Sequence, residues 1–356
     1  MLNVAITFDY ELFFGENFGS YDDVLFEPSA KLLDLLDRHN TKATFFVDVL
    51  SVYMHEKYGL TDYRDRFVSQ IQDMVRRGHD VQLHIHSNWL KSTYADGKWL
   101  FDIPSYRIHS FGFDKNNETS VQSMIKWGKD FLTKTLTVIK PDYKCIAYRA
   151  GGYCIQPHGE LFRVLLENGI FVDSSVPLRQ SSTGANSYDF TDCEQCVGWW
   201  VNPNEKLSTP HHFEENAVFE LPIGAVKNSL LRRLFSPEEE RVFTPKELRG
   251  TFIGLPHTAT VAKHKNMLSR LLFYGKQYKM YTCDGVKATT LIRAIRKLTR
   301  AIGKKQACVS IIGHPKLIDS RWLDNFDTLL SSAQQVKNTG FVTVSEIARI
   351  LTLTDN

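Results

Sequence analysis

Gly78–Trp89 reads GHDVQLHIHSNW. Gly78 is placed to end a helix, and Val81, Gln82 and Leu83 then form a short strand that delivers His84 and His86 at its end. Side chains two apart on a strand share a face. Both imidazoles can therefore turn toward one metal or one substrate. His79 and Asp80, at the strand's start, are placed to cap or brace it.

Upstream, Leu2–Phe8 (LNVAITF) is a short, mostly apolar run, as expected of a strand buried on both faces. It ends in Asp9-Tyr10-Glu11, whose two carboxylates also share a side. Like charges converging at a strand end need a cation or a proton between them. A Gly- and aromatic-rich loop spans 12–27, Pro28-Ser29 opens a helix through His39, and Ala43–Val47 reads as a second strand. A helix over Tyr63–Arg77 precedes the histidine strand. Strand, helix, strand, helix, strand at this spacing predicts a parallel sheet with right-handed crossovers, whose ligands sit at the C-terminal strand ends.

Composition bounds the chain without naming its chemistry. The 356 residues are 43% hydrophobic and carry a net charge of +3. The charge is uneven, with 18 Lys+Arg against 5 Asp+Glu between Lys227 and Lys305. The acidic remainder argues against a general nucleic-acid binder. No run approaches a spanning helix and no secretory signal precedes the first strand, so the expected location is cytoplasmic. Six scattered cysteines fit reduced thiols, and Cys193-Glu-Gln-Cys196 is a lone CxxC without the second pair a zinc site needs.

ITFDYE, KATFFV and GHDVQLHIHSNW together resemble the polysaccharide deacetylases, the NodB-homology group of metal-dependent carbohydrate esterases. Ala147–Tyr153 (AYRAGGY) is similar to their Arg-containing third motif, and Gly169–Ser175 (GIFVDSS) to the fourth. Phe219–Pro222 (FELP) and Ile311–Pro315 (IIGHP) resemble the late strands, the second carrying their last catalytic histidine. TFDYELFFG points to the subgroup associated with surface polysaccharide, or O-antigen, biosynthesis. The resemblance implies one α/β domain over 1–356, a distorted (β/α) barrel, with 225–305 as an inserted basic helical subdomain. The reaction it implies is removal of an N-acetyl group from a nucleotide- or lipid-linked sugar.

It also implies roles. Asp9 would be the base and His314 the acid. Arg149 would keep Asp9 ionised, and Asp173 would pair with His314 and raise its pKa. A backbone N–H near Tyr153 would donate to the oxyanion. The cofactor would be a divalent metal, zinc first, with cobalt, nickel or manganese as alternatives. Two positions depart from the family. The metal-binding acid usually follows the base directly, where this chain has Tyr10, so alternation assigns the role to Glu11. The usual second histidine is Asn88, a weak zinc ligand, leaving His86 as the substitute beside His84.

Trp199-Trp200, within a polar segment over 176–218, are candidates to line a sugar groove through their apolar ring faces. The basic 225–305 segment, with helical stretches at 260–274 and 288–302, is a candidate contact for an anionic membrane surface or a lipid-pyrophosphate-linked sugar. Two other functions fit the same residues: a non-catalytic carbohydrate-binding relative, and an amidase of the same fold acting on a non-sugar amide.

Overall fold

A computed structural model of the chain describes residues 1–15, 19–213, 216–227 and 278–354. Nine strands form its main sheet among the described residues: β1 (Leu2–Tyr10), β2 (Thr44–Asp48), β3 (Asp80–Ile85), β4 (Ala147–Ala150), β5 (Val172–Asp173), β6 (Trp199–Val201), β7 (Val218–Glu220), β8 (Ala307–Gly313) and β9 (Thr339–Val342). The spatial order is β6-β7-β5-β4-β3-β2-β1-β8, and β9 also pairs with β1. Every pairing is parallel except β6 with β7. Parallel bridges Pro177–Ile223 and Ile223–Ser310 join the β5 side to β8 and curl the sheet into a distorted barrel. That is the architecture the resemblance implies.

The helices follow the expected periodicities: α1 (Glu27–Arg38), α2 (Val49–Lys57), α3 (Thr61–Arg76), α4 (Val121–Leu136), α5 (His158–Glu167), α6 (Ala288–Ile302), α7 (Ser320–Ala333) and α8 (Val344–Thr354). In α1, Leu32, Leu33, Leu35 and Leu36 are buried as one stripe. α2 is absent from the sequence reading. It follows β2 directly and buries Val49, Leu50, Ser51, Val52, Met54 and His55 around most of its circumference, so it offers no amphipathic signal. No helix among the described residues is long and apolar enough to cross a membrane.

β1 is the axis of the sheet. All nine of its residues are buried, because β8 flanks one edge, β9 and β2 share the other, and side chains cover both faces. Phe8 packs on Phe45 at 5.4 Å and on Phe326 at 5.6 Å between ring centroids. His79 and Asp80 brace the start of β3 as expected. His79 Nδ1 accepts from the Ala43 N–H at 3.3 Å, and Asp80 accepts from the Thr44 and Ser345 hydroxyls at 3.0 and 2.8 Å.

The described part of the basic segment is barrel wall. Ala225–Lys227 pairs with Tyr278–Met280. Cys283 N–H donates to Ile312 O and Ile312 N–H to Tyr281 O, at 2.7 and 2.9 Å. α6 matches the expected 288–302 helix and packs against α7. The expected helix at 260–274 lies outside the described residues.

Candidate active and metal-binding site

Adjacent parallel strands place the candidate residues side by side at their C-terminal ends. Asp48 is in register with His84, and His84 with Arg149. Phe8 is in register with Gly313, so Asp9 and His314 follow as neighbours. Asp9, Glu11, His84, His86, Arg149 and Asp173 are all buried. Strand alternation sends Tyr10 the other way, where its hydroxyl donates to Gln70 Oε1 at 2.7 Å.

Glu11 lies just past β1 and turns its carboxylate back to the same side as Asp9. Its Oε2 meets His84 Nε2 at 3.0 Å and also contacts His86 Nε2. These are the atoms of a Glu-His-His group whose ligand atoms lie within 4.8 Å of one another. The donor set fits a divalent metal. His84 Nδ1 donates to the Arg149 carbonyl at 2.8 Å, which turns Nε2 toward Glu11. His86 stands beside His84 in this group, and the fully buried Asn88 has no hydrogen-bond partner on either amide atom.

The walls hold His86 in place. Its ring packs on Phe14 at 4.6 Å and Tyr106 at 5.2 Å, and the His86 backbone N–H donates to Asp48 Oδ1 at 3.2 Å. Asp48 Oδ2 accepts from Trp89 Nε1 at 2.7 Å. Gly151 supplies the remaining space. A Cβ there would lie 2.7 Å from His86 Nδ1 and 2.6 Å from Ile85 O, so only glycine lets the AGGY turn pass this close.

On the other side, Arg149 donates from Nη1 to Asp9 Oδ1 at 2.6 Å. Its remaining nitrogens donate to Thr7 Oγ1, Ser174 Oγ and Ser174 O at 2.7–2.9 Å. Every arm of the guanidinium is engaged, so the Asp9 carboxylate is fixed in one orientation. His314 Nε2 lies 3.7 Å from both Asp9 Oδ2 and Glu11 Oε1. Tyr153, with φ +64° after Gly152 at φ +57°, occupies a left-handed turn directly after the Arg149 strand. For a bulky residue that conformation is strained, and such strain concentrates at functional turns.

Opposed effects set the protonation states. Burial alone would raise the Glu11 pKa, but the Lys316 ammonium and the two histidines outweigh it and hold the carboxyl well below its ordinary range. Burial alone would lower His84, yet Asp9 and Glu11 prevail and raise it to about 9. Burial likewise opposes protonation of His314, while the hydrogen bond and charge of Asp284, then the charge of Asp9, lift it above the usual imidazole value. Without a metal, the cluster holds protons where a divalent ion would compete for the same nitrogens.

Two expectations need correction. Asp173 does not pair with His314. It faces the Ser175 hydroxyl at 2.7 Å and the neighbouring buried Glu220, whose carboxyl is pushed well up by burial and by Asp173. The partner of His314 is Asp284, whose Oδ2 lies 2.6 Å from Nδ1. Trp199 and Trp200 offer no ring face for a sugar. Both are buried on β6 at the far edge of the sheet, with Trp199 Nε1 donating to Leu207 O at 2.9 Å and Trp200 packed on Phe213 and Phe219. Cys193 is buried and Cys196 exposed, both free, and neither joins a metal-ligating group among the described residues.

The sequence reading missed Asp284, Asp48 and Lys316. Asp48 closes the ATFFV strand as Asp9 closes β1, so its position was a readable signal. Asp284 sits 30 residues before His314 with no motif around it.

Residues 3–154 match the family model described as polysaccharide deacetylase. No curated protein matches the chain. Among solved structures, the chain is similar to a Mycobacterium smegmatis protein described as a polysaccharide deacetylase. The identity is 16% and the TM-score 0.50, over 99% of this chain and 91% of that one. A Pseudomonas aeruginosa PAO1 protein with the same description is similar at 13% identity and TM-score 0.48, over 98% and 90% of the two chains. PuuE allantoinase is similar at 12% identity and TM-score 0.47, over 98% and 89%. At such identities the first of these speaks to the fold, which is the distorted barrel of the deacetylases.

Proposed function

We propose that this chain, whose residues 3–154 match the polysaccharide deacetylase family model, is a metal-dependent hydrolase that removes an acetyl group from an N-acetylated sugar. The observation that carries this reading is the convergence of Glu11, His84 and His86 on one point, with Asp9 and His314 facing each other beside it.

Amide hydrolysis needs a proton taken from water and a proton given to the departing nitrogen. Asp9 is suited to the first task, because Arg149 occupies Oδ1 and leaves Oδ2 toward His314 and the cavity. His314 is suited to the second. Asp284 accepts its Nδ1–H, which fixes the ring and favours the protonated form, so Nε2 carries the proton to be donated. Glu11, His84 and His86 would hold the metal, zinc first among the candidates. A bound divalent ion supplies Lewis-acid polarisation of the acetyl carbonyl and of water. The turn at Tyr153 is the proposed source of the oxyanion's N–H donor.

The narrower substrate proposal is a nucleotide- or lipid-linked intermediate of bacterial surface polysaccharide biosynthesis. It rests on the resemblance carried by Thr7–Gly15. The exposed cations Arg293, Arg296, Lys297 and Arg300 on α6, a helix without an acidic residue, would face an anionic carrier or membrane surface.

The test is acetate release from N-acetylated sugar nucleotides and lipid-linked sugars, with metal content measured on the same preparations. About one ion per chain, lost in His84→Ala together with acetate release, is the expected result. Sugar binding without metal and without acetate release in the wild type would replace this reading with the binding-protein alternative.

A further inference from the structure

Lys316 is the second residue after His314, in the short turn Pro315–Leu317 that leaves β8. Lysine at a strand end is ordinarily a solvated residue. This one is only 9% exposed. Its stem passes Phe13, with Nζ 5.0 Å from the ring centroid, and Nζ donates to Glu11 Oε1 at 2.5 Å while approaching Leu12 O at 3.5 Å. Glu11 therefore has a divided carboxylate. Oε2 faces His84 and His86, and Oε1 faces Lys316, with His314 farther off at 3.7 Å.

The division answers a problem set by the sequence. Glu11 lies one residue beyond the end of β1, and its side chain is longer than an aspartate's by one rotatable bond. A free glutamate there could swing, or could turn both oxygens to the same ion. An ammonium buried against one oxygen removes both freedoms.

We propose that Lys316 is a positioning residue for the metal centre: by holding Glu11 Oε1, it commits Glu11 to bind a divalent ion through Oε2 alone. Glu11 then contributes one ligand atom instead of two, and a coordination position stays available to water and the acetyl carbonyl. This inference rests on the metal-dependent reading of the site.

Cobalt(II) reports the arrangement without recourse to turnover, because its visible absorption weakens as coordination number rises. The metal-depleted wild type, Lys316→Met and Lys316→Arg are titrated with cobalt(II), with circular dichroism confirming the fold of each. Lys316→Gln stands in for Lys316→Met should the latter fail to fold. The wild type should bind one ion per chain with a strong visible band. Lys316→Met should still bind cobalt, but with the band reduced at least twofold and the dissociation constant changed by tenfold or more. Lys316→Arg, which keeps a buried cation on Oε1, should restore the wild-type spectrum. A Lys316→Met spectrum and affinity identical to the wild type would overturn the role of Lys316 while leaving the metal reading intact. A wild type that binds no cobalt would overturn the metal reading, and this inference with it.

Discussion

Gly151→Ala tests whether the site depends on the close approach of the AGGY turn to His86. The added methyl would lie 2.7 Å from His86 Nδ1 and 2.6 Å from the Ile85 carbonyl oxygen. Comfortable contact needs about 3.5 Å, so roughly 0.8 Å must be found. Neither neighbour can give it freely. The Ile85 carbonyl belongs to β3, and the His86 ring is wedged by Phe14 and Tyr106. Metal–ligand distances tolerate only about 0.2 Å, so a displaced His86 ceases to be a good ligand. Loss of ligand support of this kind lowers metal affinity on the order of 10–100-fold, or about 1.4–2.8 kcal/mol. Overpacking adds an independent stability cost of about 1–3 kcal/mol. The assay is competition for zinc against a chromophoric chelator, with thermal melting of the metal-depleted protein alongside. His86→Ala should lower the affinity by itself, and adding Gly151→Ala to it should lower it little further, since the ligand being displaced is already gone. Wild-type zinc affinity in Gly151→Ala would refute the steric argument and the assignment of His86 as a ligand.

Asp9→Asn should retain the metal and lose acetate release by about 10²–10⁴-fold, the range expected for removal of a positioned base; full hydrolysis in that variant would sink the base assignment. Asp284→Asn should move the alkaline limb of the pH–rate profile to lower pH. Asp284 raises the His314 pKa, so without it the protonated acid disappears sooner as pH rises; an unmoved limb would show that His314 is not the acid. Chelation should lower the melting temperature of the wild type and leave that of His84→Ala unchanged, because a ligand that binds only the folded state stabilises it by mass action. Arg149→Met should cost on the order of 3–5 kcal/mol in denaturant unfolding, since it strands the buried Asp9 carboxylate.

The local pattern was enough for a parallel sheet with right-handed crossovers, and the resemblance to the deacetylases supplied the barrel. Apolar runs ending in polar residues, separated by helical repeats such as the α1 leucine stripe, are properties of neighbouring residues, and they specified parallel strands with their functional ends aligned. Alternation likewise put Asp9 with Glu11 and His84 with His86, because strand geometry fixes which side chains share a face whatever they pack against. The helix at Val49–Lys57 escaped for the converse reason: it is apolar on nearly every side and has no period to read.

The partners across the site were a matter for the tertiary structure. Asp284 reaches His314, and Lys316 reaches Glu11 from 305 residues away, only because the curled sheet brings β8 beside β1. Asp173, carried on a motif that pointed to His314, turns instead to Ser175 and Glu220. The two tryptophans became core because β6 lies at the far edge of the sheet, packed beneath Phe213, Phe219 and the Leu207 loop. Residue type and spacing state which faces chemistry can occupy. Which charge meets which across a barrel depends on strand order and closure, and those are set by long-range packing that no short window of sequence contains.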